Sequence, residues 1–176
     1  ILHPAIAQGL PADSNPARWK GHLEHLLPKP KRIEKSHHAA MPYDKVPEFV
    51  QRLRELETIA SLALEFTILT ASRSGETFGA RWSEISIAEK VWAIPADRMK
   101  SGRAHRVPLS DATVAVLDKA RLFKRDDDFV FPGQRKNKSL SHVAMANVLT
   151  RLGVDDATVH GFRSAFRDWC GDATEI

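Results

Sequence analysis

The sequence contains a single cysteine, Cys170, among its 176 residues. One cysteine excludes a disulfide within the chain and any cysteine-rich metal site, and such a composition is typical of the reducing cytoplasm. No run of apolar residues approaches the length that spans a bilayer, and no signal-peptide pattern opens the chain. We therefore expect a cytoplasmic protein with no membrane partner.

The chain also lacks an initiator methionine. It begins at Ile1 and stops at Ile176, directly after a predicted helix. We expect from this that it is a piece of a longer protein. At 176 residues it has room for one sizeable hydrophobic core, or for one domain with a fragment of another.

Positive charge exceeds negative charge only slightly. Lysine and arginine number 26 against 22 acidic residues, which gives a net charge of +4 and a pI of 9.4. The positive charge is nevertheless clustered, at Lys29 to Lys35, Arg98 to Arg106 and Arg135 to Lys138. Such clusters suit a polyanionic partner, although any one of them alone is more often a solvated loop.

The pattern of apolar residues divides the chain near residue 40. Residues 1–40 read as the end of a preceding domain followed by a basic, proline-flanked linker. Residues 41–176 read as a compact domain with helical patterns interrupted by three short β-branched segments at 85–87, 91–94 and 105–109. This order predicts a mainly α fold with a small three-stranded antiparallel β-sheet.

Individual residues mark several predicted boundaries and core positions. Thr58 and Ser110 are expected to cap helices, and Ser139 or Ser141 is expected to start a later one. The tryptophans Trp82, Trp92 and Trp169 occupy apolar positions, which favours packing in the core over contact with a ligand.

The last predicted helix has two contrasting faces. At helical spacing, one face carries the apolar residues Phe162, Ala165, Phe166 and Trp169, and the opposite face carries the basic residues His160, Arg163 and Arg167. His160 falls near the first turn, where free backbone N–H groups also attract anions. The pattern suits a phosphate, but taken alone it is more often that of an ordinary surface helix.

Three motifs occur in a fixed order along residues 69–163. They are Leu69–Glu76 with Gly79–Trp82, Met99–Gly102 leading to His105–Ser110, and Val159–Arg163. In these motifs the chain resembles the tyrosine recombinases, and more narrowly the prophage and genomic-island integrases, from about Ala39 to its end. The resemblance implies a truncated tyrosine-recombinase (DNA breaking-rejoining) catalytic core, with residues 41–176 as a partial integrase catalytic domain. Residues 1–40 are then expected to be the end of a preceding DNA-binding domain and a basic linker.

The resemblance also implies a reaction. Such enzymes cut DNA by attack of a tyrosine hydroxyl on a backbone phosphate, which forms a 3′-phosphotyrosine without a metal or cofactor. Arg73 and Arg163 are then expected to clamp the phosphate, His160 to hydrogen-bond it and move protons, and Lys100 to protonate the departing 5′-oxygen. Glu76 is expected to orient the site without reacting.

The nucleophile of this family follows the Val159–Arg163 motif, beyond the last residue of the chain. The only tyrosine, Tyr43, precedes Arg73 and is therefore in the wrong order. We expect the chain to bind double-stranded DNA at attachment sites but not to cleave it, and the full-length protein to act as a tetramer on DNA. Six basic residues are expected to contact DNA: Lys35, Arg81, Arg103, Arg106, Lys138 and Arg167.

Other readings stay open at this point. The same cations suit a non-catalytic DNA-binding module of a degenerate integrase. A metal-dependent hydrolase would use the histidines of the N-terminal segment, namely His22, His25, His37 and His38, but no carboxylate cluster accompanies them. A plain structural helical domain explains the core pattern but not the three cationic motifs. His105 reads as a surface residue of a strand.

Overall fold

A computed structural model describes residues 39–173. These residues form six α-helices and a three-stranded antiparallel sheet in the order β1-β2-β3, which confirms the predicted fold class. The helices are α1 Val46–Arg54, α2 Ile59–Thr70, α3 Ser74–Phe78, α4 Asp111–Ala120, α5 Ala144–Arg151 and α6 Gly161–Ala173. The strands are β1 Ile85–Ser86, β2 Val91–Ile94 and β3 His105–Pro108.

Helix α2 is the centre of the core. Its residues 61–67 are all buried, as expected for a helix that is apolar nearly all round. It contacts α1, α3, α4 and α5. The predicted cap is present, because the Thr58 hydroxyl accepts the backbone N–H of Ser61 while the Ser61 hydroxyl accepts that of Thr58. The apolar surface of α2 therefore organises the helices around it.

The sheet packs one face against the helices. Trp92 of β2 pairs with Val107 of β3, and both side chains are buried. The neighbouring pair, Ala93 with Arg106, is exposed on the other face. This alternation follows from the two-residue period of a strand, and it fixes which residues of β3 face the helices.

Helix α5 begins later than predicted. Neither Ser139 nor Ser141 caps it, because Ser139 pairs with Pro132 and the N–H of Leu140 donates to the carbonyl of Phe131. Ser139 and Leu140 instead pair with the buried extended segment that contains Phe131. The helix therefore starts at Ala144, after a turn closed on the Ser141 carbonyl.

The predicted apolar face of α6 is only half buried. Phe162 and Ala165 lie in the core, and the ring of Phe162 stacks on Phe49. Phe166 and Trp169, however, are 46% and 43% exposed, so the predicted core position of Trp169 is wrong. The two exposed rings contact each other, and they border a shallow apolar groove that Tyr43 also lines.

Several predictions concern residues outside the described range of 39–173. One is the preceding domain and linker predicted for residues 1–40, of which only residues 39 and 40 are described. Another is the predicted DNA contact of Lys35. Within the described range, no helix is both long enough and apolar enough to cross a membrane.

We predict that the Thr58 cap stabilises the domain. Replacing Thr58 by alanine removes the acceptor for the first turn of α2, and should lower the free energy of unfolding by about 1 kcal/mol. Urea denaturation monitored by circular dichroism measures this change. Thr58→Ser keeps the hydroxyl and should stay close to the original stability; an alanine variant as stable as the serine variant would contradict the assignment.

Candidate phosphate-binding site

Arg73 is held by a carboxylate at the start of α3. One oxygen of Glu76 accepts the backbone N–H of Arg73 at 2.9 Å, and the other accepts Nη1 of its guanidinium at 2.6 Å. Glu76 is buried, whereas the Arg73 side chain is 48% exposed. The carboxylate therefore fixes the guanidinium from its buried side and leaves its remaining N–H groups available to a ligand.

A second arginine braces this arrangement from the sheet. Arg98 follows β2, and its Nη2 donates to the backbone carbonyl of Glu76 at 2.7 Å. The rest of its guanidinium forms an ion pair with Glu84, which also accepts the Trp92 indole N–H at 3.0 Å. The Arg98 side chain is only 19% exposed. Arg98 was grouped by sequence with the solvent-facing basic cluster, but the structure uses it to join the sheet to α3.

Arg163 reaches across from α6 to the end of α2. Its Nη1 donates to the carbonyl of Ala71, which ends α2 in the left-handed conformation with φ 47°. That backbone turn aims the Ala71 carbonyl at α6 instead of along the axis of α2. Arg163 is thus oriented by a backbone group and lines the same cleft as Arg73.

Buried hydroxyl groups support the loop between α2 and α3. Thr77 lies within 2.9 Å of both Thr67 and Ser72, and the Thr70 hydroxyl donates to Ser72 at 2.9 Å. Each of these hydroxyls has at least one hydrogen-bonding partner, so none of them is buried without one. The loop that precedes Arg73 is therefore held from inside the core.

Two neighbouring clefts collect the predicted catalytic side chains. The first, here called the Arg73 cleft, has a volume of about 430 Å³. Its polar lining residues include Arg73, Glu76, Lys100, His105 and Arg163. Lys100 reaches this cleft from the tight turn between Met99 and Gly102, where the Gly102 N–H donates to the Met99 carbonyl.

The second cleft, here called the His160 cleft, has a volume of about 560 Å³. It is lined by His160, Arg163 and Arg167 together with His105, and no carboxylate lines it. Arg163 and His105 line both clefts. The four predicted catalytic residues are therefore distributed over two clefts that share one wall.

Close backbone contact positions the start of α6. The carbonyl of Ala39 accepts the N–H of Thr158 at 3.0 Å, and the hydroxyl of Thr158 accepts the N–H of Gly161 at 3.0 Å. A Cβ atom at Gly161 would overlap with the Ala39 carbonyl. Glycine at this position therefore lets residue 39 lie directly against the turn that presents His160 and Arg163.

The described residues predicted to contact DNA do not line one cleft. Arg167 lines the His160 cleft and pairs with Asp168 at 3.0 Å. Arg81 lies over the ring of Phe129, Arg106 is 3.8 Å from Glu89, and Arg103 is exposed in the turn before β3. None of the last three lines either cleft.

Lys138 belongs to a third and more voluminous cleft, here called the Arg135 cleft. It measures about 790 Å³ and lies at the opposite end of α2, beside Ile59 and Ala60. Its charged lining residues are all basic: Arg125, Arg135, Lys138 and Arg151. Because it contains none of the motif residues, we place the candidate chemistry in the two smaller clefts and regard this one as a further anion-attracting surface.

Tyr43 forms a short helical turn at residues 43–45, directly before α1. The negative charge of Asp172 raises the pKa of its phenol above the ordinary value, and burial and a hydrogen bond to Asp172 act in the same direction. A raised pKa disfavours the phenolate. Tyr43 also lines an apolar groove with Phe166 and Trp169 and lines neither catalytic cleft. It is therefore poorly suited to act as a nucleophile.

Metal ligands do not cluster in the described part of the chain. Residues 39–173 contain no group of three or more His, Cys, Asp or Glu side chains that could hold a metal ion. The N-terminal histidines considered above, His22, His25, His37 and His38, lie outside the described residues.

The sequence matches known proteins over the same region. Residues 40–169 match the model of the phage integrase family. Among curated relatives, prophage integrase IntZ of Escherichia coli is 35% identical over 132 residues, covering 74% of this chain and 33% of the relative. The integrase of Enterobacteria phage P4 is 30% identical over 155 residues, covering 78% and 35%. The chain thus spans about a third of the length of these relatives.

Solved structures agree on the fold. A lambda integrase tetramer bound to a Holliday junction matches with a TM-score of 0.64 and 18% identity, covering 98% of this chain and 51% of that one. XerH recombinase bound to its difH substrate matches with a TM-score of 0.60 and 14% identity, covering 77% and 44%. At such low identity the likeness concerns the fold alone.

We predict that Gly161 tolerates no side chain. In Gly161→Ala, relief of the overlap with Ala39 must shift backbone, which should cost about 1–3 kcal/mol of unfolding free energy. Gly171 in the same helix has nothing within 4 Å of a built Cβ. Gly171→Ala should therefore gain up to about 1 kcal/mol from helix propensity. Equal effects of the two substitutions in urea denaturation would show that the contact with residue 39 is unimportant.

Proposed function

Because the chain belongs to the phage integrase family, we propose that it forms part of the catalytic domain of a tyrosine-type site-specific DNA recombinase. The observation that carries the proposal is the meeting of Arg73, Lys100 and Arg163 in one cleft, although they come from three separate parts of the sequence. Their common ligand is a backbone phosphate of double-stranded DNA. The reaction is strand cleavage and rejoining, which integrates or excises DNA at an attachment site.

The two arginines bind the phosphate that reacts. When an oxygen nucleophile attacks a phosphodiester, negative charge accumulates on the non-bridging oxygens, and planar guanidiniums match those oxygens with paired N–H donors. Arg73 is already oriented by Glu76, and Arg163 by the Ala71 carbonyl. Donors that are fixed before the reaction stabilise the transition state without reorganising during it.

The remaining cations handle protons. A tyrosine hydroxyl forms a bond to phosphorus, the bond from phosphorus to the 5′-oxygen breaks, and the 3′ end stays attached as a phosphotyrosine. The tyrosine proton leaves to a base, and the departing 5′-oxygen takes one up. Lys100 supplies the latter from a flexible stem on an exposed turn, and His160 binds the phosphate and assists the transfer.

No described residue supplies the nucleophile, because Tyr43 lines neither catalytic cleft and the charge of Asp172 raises the pKa of its phenol. We therefore assign the attacking tyrosine to a part of the parent protein outside this chain. The chain by itself binds DNA without cleaving it. Cleavage by the parent takes place in the cytoplasm on paired sites held by a tetramer, by analogy with the lambda integrase tetramer.

The wider DNA contact includes the Arg135 cleft. Its four basic side chains attract backbone phosphates, and Lys138 is one of them. Lys35, Arg81, Arg103, Arg106 and Arg167 stay candidates for further contacts with the duplex. Phosphate contacts position a protein on DNA without reading bases, so sequence preference in this chain is weak.

We predict that the clamp residues are essential for cleavage. The parent protein is incubated with a nicked suicide substrate that carries its crossover site, mapped beforehand by sequencing the junctions it generates. A covalent protein–DNA adduct should form. Arg73→Ala and Arg163→Ala should each reduce its rate by about 100-fold or more, because each removes a fixed donor to the transition state.

The same assay separates the proposal from its alternative. Lys119→Ala removes a cation from α4 outside all three basic clefts and should leave the rate unchanged. A parent protein that binds the site tightly yet forms no adduct would identify a non-catalytic DNA-binding module of a degenerate integrase.

We also predict a steep dependence of DNA affinity on salt. The slope of log affinity against log salt should be about −0.9 for each neutralised phosphate. Lys138→Ala should make the slope shallower by about 0.9, whereas Lys119→Ala should not change it. Fluorescence anisotropy with a labelled duplex at several salt concentrations measures both slopes. An affinity insensitive to salt would refute phosphate binding altogether.

A further inference from the structure

His105 lies on the face of β3 that looks toward the helices. It pairs with Ile94, which is 1% exposed, and its strand neighbour on the same face, Val107, is also buried. Arg106, between them, points to the opposite face. His105 itself is exposed. The exposure therefore arises because the ring borders an open cleft at the edge of the core.

That position places the imidazole at the wall between the two catalytic clefts. Only four described residues line both clefts, and Arg163 and His105 are the two that carry a basic side chain; the others are Thr70 and Ala71. The His105 ring makes no hydrogen bond or ion pair with any described residue. Its N–H is therefore available to a ligand that Arg163 also contacts.

We propose that His105 is an additional phosphate-binding residue, which donates an imidazole N–H to a non-bridging oxygen of the phosphate held by Arg163. This inference rests on the proposed function and adds a residue to it. An imidazole carries at least one N–H donor in either protonation state. His105 thus complements the guanidiniums without needing to exchange a proton with the substrate.

The secondary structure that carries His105 favours phosphate binding over proton donation to the leaving group. Lys100 sits in the exposed turn before β3, whereas His105 is the first residue of the strand and is held by ladder pairing with Ile94. A donor on a paired strand is more rigid than one on a turn, and rigidity is what transition-state binding requires. Arg163 and His105 approach from α6 and from the sheet, so the phosphate is contacted by two independent elements.

The test uses the parent protein and the nicked substrate in single-turnover adduct formation. His105→Ala should slow the adduct rate by about 10–100-fold, because one donor to the transition state is lost. The melting temperature should not change, since the side chain is exposed and makes no bond in the free protein. Lys119→Ala, an exposed change on α4 outside all three basic clefts, should retain the original rate.

Substitution of His105 by asparagine or glutamine tests whether the site needs an N–H donor at this position or only a side chain of this size. Asparagine places its amide nitrogen near the position of imidazole Nδ1, and glutamine near that of Nε2. We expect His105→Asn or His105→Gln to recover most of the lost rate. If both amide variants are as slow as the alanine variant, the donor assignment is wrong.

A substrate with sulfur in place of the bridging 5′-oxygen separates phosphate binding from proton donation. A thiolate leaves without a proton, so this substrate should restore the rate of Lys100→Ala but not that of His105→Ala. Restoration of His105→Ala would overturn the proposal, because the imidazole would then act on the leaving group. If Arg163→Ala abolishes the adduct while His105→Ala reacts at full rate, only this inference fails. If the parent protein without substitutions forms no adduct, both this inference and the proposed function fail.

Discussion

The hydrogen bond from the Arg163 guanidinium to the Ala71 carbonyl joins the last helix to the end of the buried helix α2. The Arg73 cleft and the His160 cleft meet at this junction, because Arg163 and Ala71 line both. Ala71 adopts a left-handed conformation, so its carbonyl leaves the helix axis and becomes available to a side chain from α6. The same turn leads into Arg73. The turn at Ala71 therefore orients Arg163 through a hydrogen bond and Arg73 through the direction of the chain that follows. The distance between the two arginines in the cleft thus depends on this backbone turn and not on flexible side chains alone.

Buried polar groups keep that junction rigid. The Glu84–Arg98 ion pair is mostly shielded from water, and Arg98 also donates to the Glu76 carbonyl, so Arg98 joins the sheet to α3. Below the loop, the hydroxyls of Thr67, Thr77 and Ser72 satisfy one another. Such networks are costly unless every member finds a partner, but a satisfied network specifies a single arrangement. A site that stabilises developing charge requires this preorganisation.

Local patterns were sufficient for much of the fold. The apolar period located α2, and the caps at Thr58 and Ser110 are present as predicted. The failures concern contacts with other segments of the chain. Phe131 and Pro132 pair with Leu140 and Ser139, so these two residues do not begin α5. Trp169 has the spacing of a core residue, but it is 43% exposed. Spacing reports which face a residue occupies, not what packs on that face.

The sequence by itself determined the order of the elements, the family and the identity of the basic residues at their edges, because these depend on short-range periodicity and contiguous motifs. Only the tertiary structure decided which basic residues share a cleft. Arg98 and His105 show the difference: both lie in one basic stretch, yet Arg98 turns inward to brace α3 and His105 borders both clefts. Strand register and the crossing of α6 over the end of α2 set those directions, and both result from long-range packing that no local pattern records.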